Sequence, residues 1–335
     1  MGSAEVVRRP IPQFSSSMAL DSRAAHLLNL RIKSTQGQSC IDGLSIDLED
    51  YFQVEAFASR IPRSQWSSFP SRVRDNTVRT LELLERSRCK ATFFVLGWVA
   101  EREPALIREI AAAGHEVACH SYFHYPVFRL SPAEFREDLR RSRDVIEDIS
   151  GLKVVGFRAP TFSITSKTLW ALEILAEEGF EYDSSIFPIR HDNYGIPGAS
   201  RWIHKESLPS GRSIWELPLS TVRLGTANVP FGGGGYLRQL PMWFTRWAIR
   251  TTHRRERQPV MVYFHPWELD PDQPRLPGSW KSRLRHYRNL KETELRLQEI
   301  LASSQFQPFI SFVRMLESCS PAPNLDPLVA AYSEA

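Results

Sequence analysis

Apolar and polar positions along this chain switch repeatedly between two periods. From Asp75 to Arg88 the apolar residues Val78, Leu81, Leu83 and Leu84 recur at helical spacing, and Lys90 to Leu96 then carries the β-prone run Ala-Thr-Phe-Phe-Val-Leu. Pro104, tolerated in the first turn of a helix, opens a segment with Leu106, Ile107 and Ile110 that stops at Gly114. His115 to Cys119 reads as the next strand. Ser131-Pro132-Ala133-Glu134 has the form of a capping box and starts an amphipathic helix through Leu139, Val145 and Ile149 to Gly151. Val154 to Phe157 predicts a strand, Ser166 to Glu178 a helix, and Gly179 to Tyr182 the start of another strand. Ahead of them all, Ile41 to Ile46 is a short apolar strand. Strands separated by helices of this length pair in parallel through helical crossovers, so the predicted class is α/β.

Residues 190 to 240 break the rhythm with Pro197, Gly198, Pro209, Gly211, Pro218, Pro230 and the run Phe231-Gly232-Gly233-Gly234-Gly235-Tyr236, which predicts an insertion or a set of long loops. The glycine run lacks the lysine ending of a phosphate loop and the spacing of a dinucleotide fingerprint, and predicts a flexible or close-approach turn. Pro241 to Arg257 predicts a helix with Trp243, Phe244, Trp247 and Ala248 on one face and basic residues on another. Such a helix fits a surface position with a solvated basic side, or peripheral contact with an anionic membrane or an acidic glycan. A last charged helix is expected near Leu284 to Leu301. Residues 1–38 and 321–335 read as loose tails, with Met18 as a second plausible start, around a single unit spanning 39–320.

Composition narrows the classes. With 335 residues, 42% hydrophobic and 24% charged, the chain can bury a sizeable core, and a net charge of +4 does not suggest nucleic-acid binding. Cys40, Cys89, Cys119 and Cys319 form no Cys-x-x-Cys pair, which indicates neither a disulfide framework nor a thiolate zinc site and fits a reducing compartment. No apolar run resembles a signal-peptide core or a membrane span, so the expected location is cytoplasmic.

Chemistry concentrates at predicted strand ends. Ile46-Asp47-Leu48-Glu49-Asp50-Tyr51 places three carboxylates within four residues, a density that calls for a cation or a shared proton unless the stretch is an exposed acidic turn. His120 and His124 stand four apart, Arg158 opens Arg-Ala-Pro, Asp183 follows a strand, and His265 closes Val260 to Phe264. In α/β barrels the C-terminal strand ends form the active rim, where all of these could gather. Two imidazoles and one carboxylate would bind a catalytic divalent ion with open positions. Asp47 is the candidate base beside that ion, Arg158 its charge partner, and His265 the candidate proton donor to a leaving group. Each also has an ordinary structural role available, as a surface ion pair or a hydrogen-bonded polar residue.

Taken together, Asp47-Leu48-Glu49-Asp50, His120-Ser-Tyr-Phe-His124, Arg158-Ala-Pro160, Asp183 and Tyr263-Phe-His265 resemble the NodB-homology polysaccharide deacetylases of carbohydrate esterase family four. Asp-Leu-Glu-Asp-Tyr-Phe-Gln-Val, the Phe231 to Tyr236 loop and Phe264-His-Pro-Trp-Glu268 look like the subgroup found with exosortase and exopolysaccharide gene clusters. The resemblance covers roughly residues 41–310. It implies a distorted (β/α) barrel with a C-terminal extension, a divalent metal, usually zinc, and hydrolysis of N-acetyl groups on a polysaccharide or oligosaccharide. By that resemblance Asp47 is the base, His120 and His124 are ligands, Arg158 orients the base, His265 is the acid, and backbone near Thr161 faces the oxyanion. Asp183, Trp215, Tyr236 and Trp267 are expected to contact substrate. Because Leu48 replaces the family's usual second aspartate, the carboxylate ligand is either Glu49, on the Asp47 side of the strand, or Asp50, the matching residue type. A catalytically silent glycan-binding barrel, with Trp202, Trp215 and Trp267 as stacking platforms, and a cyclic-amide hydrolase using the same site are the competing functions.

Overall fold

The computed structural model describes residues 40–192 and 194–319, so the two expected tails lie outside the described residues. Strand β1 (Ile41–Leu48) is central. Its odd positions, Gly43, Ser45 and Asp47, face the barrel interior, whereas Leu44, Ile46 and Leu48 pack outward under the helices. β2 (Thr92–Val95), β3 (Glu116–Cys119), β4 (Gly156–Phe157) and β5 (Tyr182–Asp183) follow in parallel. The crossovers are α1 (Val73–Arg86), then α2 (Gly97–Arg102) with α3 (Pro104–Ala112), then α4 (Pro132–Ser150), then α5 (Trp170–Glu177). The capping box at Ser131 and Glu134 is present in full, and Gly151 ends α4 at φ 68°.

The 190–240 stretch is richer than loops. β6 (His204–Ser207) and β7 (Ser213–Glu216) form an antiparallel pair, β7 joins β5 in the main sheet, and β8 (Thr221–Leu224) and β9 (Ala227–Pro230) form a separate hairpin. Four-residue strands set among prolines and glycines carry too few alternations to be read by period. After α6 (Gly234–Gln239) and α7 (Met242–Thr251), β10 (Met261–Phe264) returns to pair with β1. α8 (Trp280–Tyr287) and α9 (Leu290–Leu301) replace the single helix expected there, separated at Asn289, which adopts φ 57°. β11 (Gln305–Gln307) pairs with the start of β1, and α10 (Phe309–Glu317) closes one end. On α7 the sequence places Trp243 on the inner face, but it is 67% exposed; Thr245, Ala248 and Ile249 are the residues buried.

Among the described residues the sheet has nine strands, ordered β6-β7-β5-β4-β3-β2-β1-β10 with β11 beside β1. It curls until the chain after β7 meets β10: the Ser220 N–H donates to the Met261 carbonyl (3.1 Å) and the Met261 N–H to Ser220 Oγ (2.8 Å). The fold is therefore a distorted (β/α) barrel. The glycine run is the close-approach turn expected, since Tyr263 N–H donates to the Gly232 carbonyl at 2.7 Å and a Cβ on Gly233 would stand 2.1 Å from the Tyr263 carbonyl oxygen. No helix among the described residues is long and apolar enough to cross a membrane, and the four cysteines are unpaired.

Candidate active site

Strand parity decides which of the clustered carboxylates meet. Asp47 and Glu49 continue the inner face of β1, while Asp50 falls on the outer one. Glu49, His120 and His124 converge with one ligand atom each, all within 4.8 Å of one another and all buried. Asp50 stands apart, so the alternative that made it a metal ligand is corrected. Its Oδ2 accepts from the Arg72 N–H (2.8 Å), the Val73 N–H (3.2 Å) and Ser71 Oγ (2.9 Å), holding the first turn of α1. Burial, against those donors, pushes its carboxyl up to about 6.

The two histidines arrive on the turn after β3. His120 Nδ1 meets the Arg158 carbonyl at 2.7 Å, an arrangement that assigns the proton to Nδ1 and leaves the Nε2 lone pair for a ligand. Burial keeps this imidazole down at about 4 and therefore neutral near pH 7. His124 reaches the cluster only because Ser121 and His124 adopt φ 70° and 57°, a costly conformation held from outside. Arg63 donates to the Phe123 and His124 carbonyls (2.6 and 2.5 Å), and Asp138 accepts from the Tyr122 N–H. Sequence reasoning missed Arg63 and Asp138, which lie in unrelated segments and carry no motif of their own.

His124 Nε2 is 3.1 Å from Glu49 Oε2, and that oxygen is buried without a hydrogen-bond donor. For Glu49, burial works upward, but His124 and His265, helped by His120, overcome it and bring the carboxyl down to about 2. Two neutral-capable imidazole nitrogens and an ionised, donor-starved carboxylate oxygen suit a divalent ion such as zinc.

Asp47 and His265 flank this cluster. Asp47 Oδ1 accepts from Arg158 Nη1 at 2.6 Å, and the same nitrogen donates to Ser45 Oγ. Arg158 is fully buried; its other donors go to Ser184 Oγ and the Ser184 carbonyl, and its guanidinium lies 4.1 Å over the Phe94 ring. Opposite, His265 Nε2 is 3.4 Å from Glu49 and 3.9 Å from Asp47, while Nδ1 bonds Glu268 at 2.9 Å. Burial disfavours the imidazolium, yet Glu49, Glu268 and Asp47 together carry His265 up to about 9. Glu268, in contact with Arg238 (3.5 Å), was also missed, although its place three residues after His265 is a usable signal.

Several expected substrate contacts sit elsewhere. Asp183 is buried against Glu216, its partner across β5 and β7, and accepts from Ser185, whose Oγ accepts from the Ala159 N–H; it braces the Arg158 turn instead of opening onto the site. Trp215 is buried in the interior core with Lys205 above its ring, so it is no open platform. Trp202 is covered by Arg201. Trp267 is buried between His265 and His286 and donates Nε1 to Glu49 Oε1 at 3.2 Å, so it orients that carboxylate and presents no open stacking face. Thr161 takes φ 59° in the turn after β4, beside Arg158, and Tyr236 bonds Tyr194 above the glycine loop.

Comparison with known proteins agrees with this architecture. Residues 62–181 match the model "Polysaccharide deacetylase", and residues 184–314 match "Domain of unknown function (DUF3473)", although strands from both segments share one sheet. The peptidoglycan deacetylase-like protein FGM2 of Gibberella zeae is 30% identical over 155 residues, 42% of this chain and 45% of that protein. The peptidoglycan-N-acetylglucosamine deacetylase of Bacillus cereus is 31% identical over 98 residues, 29% and 36% of the two chains. The chain thus spans less than half the length of these curated relatives. Among solved structures, a polysaccharide deacetylase homologue from Mycobacterium smegmatis superposes with a TM-score of 0.55 at 21% identity, covering 88% of this chain and 98% of that one. Puue allantoinase gives 0.56 at 14% identity, over 86% and 94%. Residues 62–181, which include His120, His124 and Arg158, thus match a polysaccharide deacetylase domain, in keeping with the resemblance of the motifs to the NodB-homology enzymes.

Proposed function

We propose that the protein is a divalent-metal-dependent hydrolase, with zinc the expected ion, that removes N-acetyl groups from amino sugars of an exopolysaccharide-type glycan or its lipid-linked precursor. One observation carries this reading: the Glu49, His120 and His124 cluster lies between an arginine-held carboxylate, Asp47, and an imidazole, His265, whose carboxylate neighbours favour its protonated form. A cation held by those three residues would supply Lewis acidity and a lowered pKa for the attacking water. Asp47, held in place by the hydrogen bond from Arg158, takes the proton from the attacking water as it approaches the acetamido carbonyl. His265, oriented by Glu268, gives a proton to the amine that leaves. In this reading a backbone N–H near Thr161 donates to the developing oxyanion.

The test is acetate release from short N-acetylglucosamine oligomers alongside elemental analysis of the purified protein. Metal in about one-to-one ratio, with turnover that chelation removes and zinc restores, supports the proposal. Metal-free protein that still releases acetate overturns it. The likeness to an allantoinase shows that this fold also occurs with another activity, so hydrolysis of a cyclic amide such as allantoin is the control substrate, expected to be inert.

A further inference from the structure

Several surface arginines of this protein are answered by acids: Arg136 and Arg140 by Glu178, Arg246 by Glu299, Arg74 by Glu109, Arg86 by Glu294, Arg296 by Glu292; others, Arg250, Arg254, Arg255 and Arg257 among them, have no ion pair among the described residues. The α8 region holds an unpaired set that lines a groove. From Gln273 to Lys291 the sequence has Arg275, Lys281, Arg283, Arg285, Arg288 and Lys291 and no Asp or Glu. Among the described residues no carboxylate lies within ion-pair distance of these six. Arg275, Arg283 and Arg288 are exposed and line, with Trp280, Leu284 and Tyr287, one open groove of about 510 Å³. Trp280 is 71% exposed, and the Arg275 guanidinium is stacked 4.1 Å over Tyr287. A fixed, planar, unneutralised guanidinium beside an exposed indole is suited to a carboxylate on a flat ring-shaped ligand.

The groove is also tied to the candidate active site. Tyr287 adjoins His286 (ring centroids 4.6 Å), His286 stacks on Trp267 (4.2 Å), and Trp267 stacks on His265 (5.0 Å). Arg238 binds the carbonyls of Arg285, His286 and Arg288 and faces Glu268, the residue that orients His265.

We propose that the Arg275, Trp280, Arg283 and Arg288 groove is a binding subsite for an acidic sugar, a uronate-type unit, of the glycan. This rests on the glycan-deacetylase reading and adds that the substrate is an anionic heteropolymer. Charge separates it from neutral chito-oligosaccharides, and membrane docking is disfavoured because the eight-residue helix offers only Trp280 and Leu284 as exposed apolar anchors.

The test measures binding, without turnover, of two soluble probes: an oligomer alternating N-acetylglucosamine and glucuronate, and a neutral N-acetylglucosamine oligomer of equal length. Acetate release is scored separately, so a failure of the deacetylase reading shows there and not in the binding ratio. The parent is expected to prefer the acidic probe at least about tenfold at low salt, and the double variant Arg283→Glu, Arg288→Glu to bring the ratio to about one. Trp280→Ala should weaken the acidic probe several-fold with a smaller effect on salt dependence. Equal affinities in the parent, or an unchanged ratio in the double variant, overturn the proposal. So does binding to vesicles containing anionic phospholipid without binding to the acidic oligomer.

Discussion

Two buried pairs of carboxylates sit at strand ends of the same curled sheet and behave in opposite ways. Asp47 and Glu49 face Arg158, His124 and His265 at 2.6, 3.1 and 3.4 Å, so both are surrounded by positive or protonatable groups. Asp183 and Glu216 face each other, and their other contacts are serines and backbone N–H groups. Burial is common to both pairs, so it does not make a site. The partners decide: carboxylates beside an arginine and imidazoles can help to hold a cation, whereas two carboxyls that share a proton close on themselves.

The sharpest way to break the comparison is to remove the imidazoles. His120→Ala with His124→Ala should abolish both metal uptake and acetate release, read by elemental analysis and an acetate assay. Metal retained at Asp183 and Glu216 in that variant would erase the distinction. Next, Asp47→Asn should leave metal content intact and lower kcat by about 10²–10⁴-fold, the range for a general base. A wild-type kcat would assign the proton transfer elsewhere.

A subtler contrast lies within one run of sequence. Glu49→Gln should lose the metal, while Asp50→Asn should keep it and instead destabilise the fold by about 1–2 kcal/mol, as the start of α1 loses a charged acceptor. Thermal melts with and without added zinc separate the two, and metal loss in Asp50→Asn would reinstate it as a ligand.

These residues also show what was legible beforehand. The α/β alternation from β1 to β5 was readable because helical and strand periods differ over whole segments, and Glu49 was on the correct face by parity alone. The histidine spacing and the His265 strand end pointed to residues that do converge. Asp183 and Trp215 were misjudged because a strand end fixes a residue's height on the rim but not the group opposite it; Glu216 comes from 33 positions downstream. The short strands between 190 and 240 were hidden by their turns, and Arg63, Asp138 and Arg238 act by gripping backbone or a neighbouring side chain, which leaves no spacing to find.

The smallest effect concerns the closed pair and tests whether it does share a proton. Burial raises the Asp183 carboxyl to about 6, and burial with the adjacent Asp183 raises Glu216 well above its usual range. Unfolded, both titrate near about 4. Between these limits the folded chain holds a proton that the unfolded chain has released, so the pair's contribution to stability is complete below about pH 4 and is lost as pH rises through 6 and beyond. Glu216→Gln keeps the shape, can still accept from the Ile186 N–H, and gives Asp183 an amide donor with no proton to lose. The difference in Tm between variant and parent should therefore grow in the variant's favour from pH 5 to pH 8, by a few degrees at most. A difference that stays flat over that range would mean that the two carboxyls titrate independently, and that the contrast with Asp47 and Glu49 is one of location alone.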